Sequence, residues 1–544
     1  MEEIVKGPQK LFVLVVFAFI TIGSSATDIY IAQTAAGANN GADCADAHAV
    51  TWFNSSANWG TAAGQIGPGT VVHLCGTISS NLTVQASGAA GNDIEILFEA
   101  NAMLSQPACN PSCLNLGGKD YLLVDGGSDG IIQNTANGTG LANNVGSYGI
   151  LFGSGNSCGS NIEIRNLTVQ NIYVRTAGTD EGAGASDSGG IYGVNCGSNI
   201  SVHNNTSTYA HVNIILAPYG SQSNYSVYDN TTDNATWGIN IQAGSTTSGV
   251  NGLYIYGNDV NDGTSWNDVN GTFHEDGIFV FGQTGGINFT NAYIYNNYLH
   301  GQWGGSTECP TCAPTGFIYL SDAGSNFYLF NNVFALTGAY AANGLISVGY
   351  GDSNFLIENN TFVGYSSSAG GIAIGDAGPN DTEITIENNI IDDMASAINV
   401  SHSGQSSVSL ANYNDYFNVT GKGTAGAWCT TGCADSFSAW QGSPFKWDAN
   451  GVFADPQLNS NYTLQSGSAA IGRGTNLYST CNGQPNPGLG ALCQGAPLTF
   501  GVSGSCGSGC LARAQSGAWD AVAYPFAANS PPPAPPTALS ATVE

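Results

Sequence analysis

The chain has 544 residues, of which 75 are Gly and only 9 % are charged, and its formal net charge at pH 7 is −29. A hydrophobic share of 42 % excludes a disordered polyelectrolyte, and the length predicts several domains or one repetitive domain. With only nine Lys and Arg residues, the surface would repel nucleic acid and anionic membranes, so neither is expected as a partner.

Residues 1–26 have the pattern of a signal peptide. Lys6 and Lys10 precede an apolar run over residues 11–22, and small residues ending at Ala26 follow it. The run is too short for a comfortable membrane span. We therefore expect cleavage after Ala26, export to the extracellular space or the cell surface, and no transmembrane segment in the mature protein.

Fourteen cysteines agree with export, because an even number of cysteines in an exported chain predicts disulfide bonds. Spacing alone leaves their connectivity open. Cys309 and Cys312 have the spacing of half a zinc site, but no second pair of ligands has a suitable spacing, so a disulfide is the favoured interpretation.

One sequence unit recurs along the chain. In a representative copy, the apolar stretch Gly277–Phe281 is followed by a turn, then by Ala292–Tyr295, and then by Asn296 and Asn297. Apolar residues alternate at period two within each stretch, which predicts three short strands per unit. Other copies carry the pairs Asn204-Asn205, Asn331-Asn332, Asn359-Asn360 and Asn388-Asn389.

The second Asn of each pair follows an inward aliphatic residue by three positions, as Asn297 follows Ile294. If coils stack about 4.8 Å apart, these side chains can hydrogen-bond along the stack. Asn also tolerates the left-handed backbone of a tight turn. Two-residue hairpin links, which a propeller or sandwich would need, do not recur. The unit therefore predicts an all-β, right-handed parallel β-helix with three-strand coils and an Asn ladder, stapled by disulfides.

Several stretches resemble secreted right-handed β-helix proteins of the pectate-lyase-like superfamily. Those beginning at Asp28 (DIYIAQT) and Gly67 (GPGTVVHLCG) resemble the first coil, and those beginning at Phe453 (FADPQLNSNYTL) and Ala518 (AWDAVAYPF) resemble the exit from the fold. The resemblance implies one β-helix domain over residues 27–526, with an N-terminal cap and a C-terminal capping region. It says little about chemistry, because this fold hosts lyases, hydrolases, esterases, epimerases and adhesins.

Residues 527–544 differ in composition from the repeats. Three consecutive prolines begin at Pro531, and two more follow. We expect a stiff linker there, or the start of a truncated β-sandwich module.

In the resembled superfamily, substrate lies across the first strand of each coil, between the long segments that follow the third strand. Here those segments are 176–189, 262–276 and 301–315, and they concentrate acidic and indole side chains. Paired carboxylates can supply a general acid and a base or nucleophile for glycosidic-bond cleavage. The predicted catalytic residues are Asp276, Glu275 and Asp268, with His274 included as their neighbour.

A sugar-cleaving site also needs a surface that binds sugar rings, and aromatic faces provide one. The predicted substrate-binding residues of this cleft are Trp266, Trp303, Phe279, Phe281, Asn240 and Gln242. The alternative explanation is structural, because Asp residues in turns commonly cap backbone amides or bind Ca²⁺. The candidate Ca²⁺ ligands are Asp262, Asp268 and Asp276.

Aromatic residues also recur on successive second strands. One row contains Tyr228, Tyr256, Tyr295 and Phe330, and a parallel row contains Tyr254, Tyr293 and Tyr328. Aromatic residues in register pack on each other and favour sheet formation. The other interpretation is a docking stripe for a glycan or a protein, with Tyr256 and Tyr295 as contacts.

Two further carboxylate pairs have suggestive spacings. Asp322 and Asp376 follow first strands two coils apart, while Glu358 and Glu387 lie one coil apart on second strands. The second pair is expected on a plain solvated face.

Three functions remain open from the sequence. The favoured hypothesis is an extracellular hydrolase of a neutral or weakly charged polysaccharide that uses paired carboxylates. The alternatives are a non-catalytic protein that binds a surface glycan, and a Ca²⁺-dependent polysaccharide lyase with Arg175 as base. The Asn-Thr-Asp, Gly-His-Gly and Arg-Ile-Lys motifs of the polygalacturonase branch are absent in suitable order.

Overall fold

The computed structural model describes residues 27–153, 159–175, 188–263, 274–286, 288–303, 314–321, 324–338, 344–349, 353–365, 369–375, 382–400, 408–419, 436–442, 446–501 and 510–526. The predicted signal peptide and the Pro-rich linker lie outside these residues. Within them, the chain winds into stacked coils that build three sheets of 14, 13 and 11 strands. Strands of successive coils pair in parallel. The predicted right-handed parallel β-helix is confirmed.

Each full coil contributes its strands in the order sheet 3, sheet 1, sheet 2. Sheet 1 comprises His48–Ala49, Thr27–Ala32, Thr70–Cys75, Ile94–Phe98, Leu122–Asp125, Ile162–Arg165, Ile200–His203, Ser221–Tyr228, Gly249–Tyr256, Phe289–Tyr295, Gly324–Phe330, Ser353–Glu358, Thr382–Glu387 and Val408–Asn412. Sheet 2 comprises Thr77–Ile78, Met103–Gln106, Ile131–Asn134, Thr168–Gln170, Thr206–Thr208, Thr231–Ala235, Asp259–Gly263, Tyr298–Gly301, Val333–Leu336, Thr361–Val363, Ile390–Asp392, Asp415–Phe417 and Val452–Phe453. Sheet 3 comprises Leu82–Thr83, Ser112–Asn115, Ser147–Phe152, Ser188–Cys196, Val212–Pro218, Trp237–Gln242, Asp276–Phe281, Gly316–Ser321, Ile346–Gly349, Gly370–Ile374 and Ser396–Val400.

Helices are short and lie near the two ends of the described chain. The α-helices are Val50–Phe53, Phe437–Gln441 and Tyr478–Cys481, and the 3₁₀ helices are Cys44–Asp46, Ser56–Asn58 and Leu489–Cys493. None of the helices in the described ranges is long and apolar enough to cross a membrane.

The core is a file of aliphatic residues that stack from coil to coil. Ile278 pairs in register with Ile239 on one side and with Ile318 on the other, and all three are fully buried. Fully burying such a side chain contributes roughly 1.5–3 kcal/mol. Because each coil buries its aliphatic residues only against its neighbours, the stack is stabilised coil by coil.

The two residues of each Asn pair divide two tasks between them. The first Asn takes the left-handed backbone conformation at the corner between sheets 1 and 2, with φ of 54° at Asn296, 56° at Asn331 and 59° at Asn388. Asn pays less for this conformation than most residues with a side chain. The second Asn of each pair points into the interior and is fully buried.

The buried Asn residues form the predicted ladder. Asn297 donates from Nδ2 to Oδ1 of Asn332 at 3.0 Å, and Asn332 donates to Asn360 at the same distance. Each Asn Oδ1 also accepts the backbone N–H of the preceding ladder residue, as Asn332 does from Asn297 at 3.1 Å. The continuous ladder runs through Asn205, Asn230, Asn258, Asn297, Asn332, Asn360, Asn389 and Asn414.

The ladder ends on a carboxylate that the sequence did not predict. Asn414 donates from Nδ2 and from its backbone N to Asp448 Oδ1, at 2.9 and 3.1 Å. Asp448 Oδ2 accepts from the Tyr416 hydroxyl at 2.6 Å and from Trp440 Nε1 at 2.9 Å. The group at this end of the ladder only has to accept hydrogen bonds, because no further coil of the described chain follows it. An ionised carboxylate has acceptors but no donor.

The part of the chain after the last coil lies along the side of the stack. We call residues 454–501 and 510–526 the C-terminal segment. Its Leu492 and Trp519 pack in one buried cluster with Tyr295 and Phe330 of sheet 1. Farther along, its Val522 packs with Ile390 of sheet 2. The end of the core itself is covered by Trp440 of the helix Phe437–Gln441.

Polar contacts between the stack and the C-terminal segment come from the first Asn of three successive pairs. Asn331 donates to the carbonyl of Gln494 at 2.9 Å, Asn359 to that of Asp520 at 3.2 Å, and Asn388 to that of Thr475 at 3.0 Å. Arg513 donates from Nη2 to Asn331 Oδ1 at 2.8 Å. The corner Asn residues therefore both turn the coil and hold the segment that covers it.

The predicted disulfide staples are present in the described ranges. They join Cys44 to Cys75, Cys109 to Cys113 and Cys481 to Cys493. The last of these connects the two short helices of the C-terminal segment. Cys309 and Cys312 lie outside the described residues.

The expectation that Glu358 and Glu387 face solvent is wrong. They are adjacent in the register of sheet 1, but only 3 % and 7 % of their surfaces are exposed. The sequence could not show this, because the C-terminal segment contacts the neighbouring Asn359 and Asn388 from 161 and 87 residues farther along the chain.

Burial leaves four carboxyl groups on this side of the stack with raised pKa values. Burial and then Glu387 raise the pKa of Glu358 to about 8, and burial and then Asp448 raise that of Glu387 to about 7. Burial, then Asp393 and Asp455, raise the pKa of Asp392 to about 7. Burial is also the main cause that raises the pKa of Asp415 to about 8.

Replacing Asn332 with Ala should lower the free energy of unfolding by about 3 kcal/mol, because it leaves the buried donors of Asn297 and the carbonyl of Ile294 unsatisfied. Chemical denaturation monitored by circular dichroism measures this change. The exposed Asn450 is the control, and Asn450→Ala should change the stability by less than about 0.5 kcal/mol. Equal effects of the two substitutions would contradict a stabilising ladder.

Stability should fall as the pH rises from 5 to 8.5. Unfolded carboxyls titrate near 4.5 or 3.8, whereas Glu358 in the folded protein titrates near 8, so the folded state binds more protons between these values. The contribution is complete below the unfolded pKa and is lost as the pH passes through the folded pKa. Glu358→Gln should reduce this loss by about 2 kcal/mol, measured by denaturation at both pH values.

Glu383 supplies the matched control, because it is exposed on the same strand as Glu387. Glu383→Gln should leave the pH dependence of stability unchanged. A stability that is constant or increases between pH 5 and pH 8.5 would rule out the buried, protonated carboxyls.

Candidate functional site

The predicted cleft residues lie on three neighbouring strands of sheet 3. The register pairs Trp237 with Asp276, Asn240 with Phe279, and Phe279 with Tyr319. Because Ile239 and Ile278 point inward, the side chains of Asn240 and Phe279 point to the outer face.

His274 and Asp276 make a direct contact on this outer face. His274 Nδ1 lies 2.5 Å from Asp276 Oδ2, and Asp276 Oδ1 accepts the backbone N–H of Gly316 at 3.1 Å. Asp276 is fully buried, whereas 38 % of the His274 side chain is exposed. Since an ionised carboxylate only accepts hydrogen bonds, the contact orients the ring with Nδ1–H toward Asp276 and leaves Nε2 directed elsewhere.

The backbone on both sides of this contact is also held in place. Trp237 donates from Nε1 to the carbonyl of His274 at 2.7 Å, one strand away from Asp276. The residue between His274 and Asp276 is Glu275, which is only 3 % exposed. His274 is therefore the accessible titratable group of this triplet.

Burial and charge shift the pKa values of His274 and Asp276 in opposite directions. Burial by itself would lower the pKa of His274, but attraction to Asp276 and the hydrogen bond between them raise it above 6.5. Burial raises the pKa of Asp276 above its ordinary value, against the opposing effects of His274 and of the Gly316 hydrogen bond. The pair therefore binds its proton more tightly than the two separate side chains would.

Aromatic rings surround His274. Its ring meets those of Phe279 and Tyr319 edge to face, with centroids 5.1 and 5.4 Å away, and those two rings stack parallel at 5.2 Å. Trp237 lies 5.6 Å from Phe279, and His211 lies 5.3 Å from Trp237. An apolar surrounding of this kind strengthens the attraction between His274 and Asp276.

Other residues of the predicted cleft have different positions. Phe281 and Gln242 are half-buried on the same face, and Asn240 is fully buried, with Nδ2 donating to the carbonyl of Phe279 at 3.3 Å. Trp303 instead belongs to the core, where it is 1 % exposed, packs on Phe317 and donates to the carbonyl of His300. Asp268 and Trp266 lie outside the described residues, as do Asp322 and Asp376.

The proposed Ca²⁺ ligands Asp262 and Asp276 have partners within the protein. Asp262 accepts the backbone N–H of Gln302 at 2.6 Å and Nδ2 of Asn261 at 3.1 Å. Over the parts of the chain described above, no group of three or more His, Cys, Asp or Glu residues is arranged to hold a metal ion. Asp262 thus binds a backbone amide of the next coil.

The two aromatic rows of sheet 1 stack as their register predicts. Tyr256 lies 4.9 Å from Tyr228 and 5.0 Å from Tyr295, with nearly parallel rings. Tyr295 is 2 % exposed and packs under the C-terminal segment, in a cluster against which Tyr256 also packs. Packing within the protein therefore accounts for this face without a bound glycan.

Sequence analysis missed Trp237, Tyr319 and His211. The repeats did contain a signal for Tyr319. It is lost when the strand that starts at Gly277 is aligned with the strand that starts at Gly316 by matching these two glycines. The register pairs Gly316 with Asp276, one position earlier, and this places Tyr319 beside Phe279. Only the hydrogen-bonded register, and not the similarity of the Gly-rich strand starts, brings these rings together.

The sequence matches no model of a known protein family and no curated protein. Solved structures with a similar arrangement include a mannuronic acid-specific polysaccharide family 6 lyase from human gut microbiota, at 15 % identity and a TM-score of 0.42, covering 72 % of this chain and 74 % of that one. The GH136 lacto-N-biosidase from Eubacterium ramulus has 11 % identity, a TM-score of 0.37 and coverage of 69 % and 64 %. XylC in complex with xylose has 9 % identity, a TM-score of 0.38 and coverage of 79 % and 87 %. At this level of identity and TM-score, the likeness carries no information about a reaction.

Proposed function

We propose that the protein is an extracellular carbohydrate-active enzyme that cleaves glycosidic bonds on the outer face of sheet 3. The observation that carries the proposal is the contact between the buried Asp276 and the exposed His274, set among aromatic rings. The predicted signal peptide supports an extracellular location, and so do the disulfides.

In this proposal His274 is the group that exchanges a proton with the reacting atoms. Its Nε2 would take a proton from a water molecule or give one to the glycosidic oxygen, while Nδ1 stays bound to Asp276. A positioned acid or base of this kind accelerates a reaction by about 10²–10⁴-fold.

Asp276 has a positioning role in this proposal rather than direct contact with substrate. It is fully buried beneath His274, and its second oxygen is occupied by the N–H of Gly316. This revises the role predicted from the sequence, in which Asp276 was itself the acid or base, together with Glu275 or with Asp268, which lies outside the described residues. Asp276 and Glu275 are both buried, so the proton transfer is assigned to His274.

The half-buried Trp237 and Phe281 are the rings on which a sugar ring would lie. Phe279 and Tyr319, only 5 % and 8 % exposed, pack beside them. Phe279 and Tyr319 form a flat pair beside the imidazole, and Phe281 extends the pair along the same strand as Phe279. The apolar faces of sugar rings pack on aromatic surfaces of this kind.

Asp276→Asn should lower kcat/KM by about 10²–10⁴-fold while the thermal unfolding midpoint changes little, because Asn has nearly the same shape and can still accept from Gly316. The matched control is Asp259→Asn, since Asp259 makes a similar contact with His300, at 2.6 Å, on sheet 2. That substitution should leave kcat/KM unchanged. Equal losses of kcat/KM in the two variants would contradict a catalytic role of the His274–Asp276 pair.

The pH profile of kcat/KM should contain a titration above 6.5, because Asp276 raises the pKa of His274. In Asp276→Asn the attraction is lost and burial dominates, so this titration should move to lower pH. Initial rates measured between pH 4 and pH 9 for both proteins test this. A titration that stays in place would show that the group titrating is not His274.

The activity itself is tested by incubating the mature protein with a panel of polysaccharides. Reducing ends and unsaturated products are both recorded, because hydrolysis yields only the former. We expect new reducing ends from at least one polysaccharide and none with His274→Ala. Cleavage that survives in His274→Ala would contradict the proposal, and so would a panel without any product.

A further inference from the structure

The coils around the candidate site contain no basic side chain. Residues 176–421 include 21 Asp and Glu residues but neither Lys nor Arg. This span supplies every strand of sheet 3 from Ser188–Cys196 to Ser396–Val400, and therefore the whole face around His274.

Apart from His274 and Asp276, two outward rows of described residues on this face carry no charged side chain. In the register of sheet 3, one outward row passes through Asn240, Phe279, Tyr319, Ser347, Ala373 and Asn399. The neighbouring outward row continues from Gln242 to Phe281 and Ser321. Besides the phenol of Tyr319, His274 above Asp276 is thus the one titratable side chain that we assign to contact with a ligand.

Several polar atoms in the first of these rows have no hydrogen-bond partner within the described ranges. These are Oδ1 of Asn240, Oγ of Ser347 and Oδ1 of Asn399. Asn240 and Ser347 are fully buried, and buried polar atoms in folded proteins nearly always have a partner. Sugar hydroxyls can donate to an amide oxygen, and they can donate to or accept from a serine hydroxyl.

The two basic residues that precede this span lie away from His274, and Lys422, which follows it, lies outside the described residues. Arg165 lies on sheet 1, where it is bound by Asp125 and Glu163, both at 2.7 Å. Arg175 precedes the strand Ser188–Cys196, which is three strands away from Asp276–Phe281 in sheet 3. At about 4.8 Å per strand, that separation is roughly 14 Å.

An anionic sugar would therefore enter a site without Lys or Arg, in which His274 is already paired with Asp276. A desolvated charge without a partner is strongly disfavoured, and the formal charge of −29 on the chain adds long-range repulsion. A neutral sugar meets neither obstacle and would use the aromatic rings and the unpartnered amide and hydroxyl groups.

We propose that the sheet 3 site binds an uncharged glycan, and that the bond is cleaved by hydrolysis. This inference rests on the proposed function. In the reaction, water adds its oxygen to the anomeric carbon as the bond from that carbon to the glycosidic oxygen breaks. One proton of the water ends on the leaving oxygen, with His274 as the group that relays it, and no other reactant is needed.

Matched glycans that differ only in charge test the inference. Binding of full-length His274→Ala is measured by calorimetry with polygalacturonate and its fully methyl-esterified form, with chitosan and chitin oligosaccharides, and with xylan and mannan. Each titration is run with Ca²⁺ and with a chelator, at low and at physiological salt. We expect at least one uncharged glycan to bind ten or more times tighter than its charged counterpart or than polygalacturonate, independently of Ca²⁺.

Tighter binding of polygalacturonate or chitosan than of every uncharged glycan would overturn the inference, and so would unsaturated products from the wild type. Cleavage confined to a charged glycan would overturn it while leaving the proposed enzyme activity intact. Binding of an uncharged glycan without cleavage by the wild type would instead contradict the activity and support the binding specificity. Absence of binding to all six glycans would contradict both.

A variant on the face itself links the binding to this site. Asn240→Leu removes the unpartnered amide oxygen and should weaken binding of the uncharged glycan about tenfold, as expected for one buried hydrogen bond. The control Asn450→Leu changes an exposed amide far from sheet 3 in sequence and should leave binding unchanged. Equal affinities of both variants would place the binding elsewhere.

Discussion

The buried Asn ladder is the interaction on which the rest of this structure depends. Each ladder residue joins its own coil to the next through a side-chain and a backbone donor, as Asn297 does with Asn332. It also satisfies a carbonyl of the preceding coil, as Asn332 does with Ile294. Because these bonds are buried and specific in geometry, a coil cannot slip by one residue without leaving several polar groups unpaired. The ladder thereby fixes the register on all three sheets, and Asp448 ends it with a group that only accepts.

Register in turn determines what lies on each outer face. On sheet 3 it brings His274, Phe279 and Tyr319 together, although the last two are 40 residues apart. On sheet 1 it stacks Tyr256 on Tyr295 and leads to the carboxylates farther along the same face. The two faces differ in what covers them, because the C-terminal segment packs against sheets 1 and 2. The aromatic row of sheet 1 is therefore covered by the protein itself, whereas on sheet 3 the half-buried Trp237 and Phe281 form a candidate sugar surface.

Charge is distributed unevenly between these faces. Under the C-terminal segment, burial raises the pKa values of Glu358 and Asp415 to about 8. These groups therefore make the folded protein more stable at low pH than at high pH. On sheet 3 the buried Asp276 contacts one imidazole, that of His274. The attraction between them outweighs the desolvation of His274 and raises its pKa. The same cause, removal of a carboxylate from water, produces a structural constraint on one face and an acid–base group on the other.

The sequence by itself determined the repeating unit, the parallel β-helix and the ladder, because hydrophobic periodicity and Asn spacing are local and recur in every coil. It also indicated the neighbourhood of His274 and Asp276, which are close along the chain. Tertiary structure alone decided that Asp276 is buried and His274 exposed, since this depends on Gly316 and Trp237 from adjacent coils. It likewise decided that Trp303 belongs to the core and that Glu358 is covered, because burial is set by segments distant in sequence. Local pattern fixed the coils, and only packing between coils determined which side chains remain accessible to a substrate.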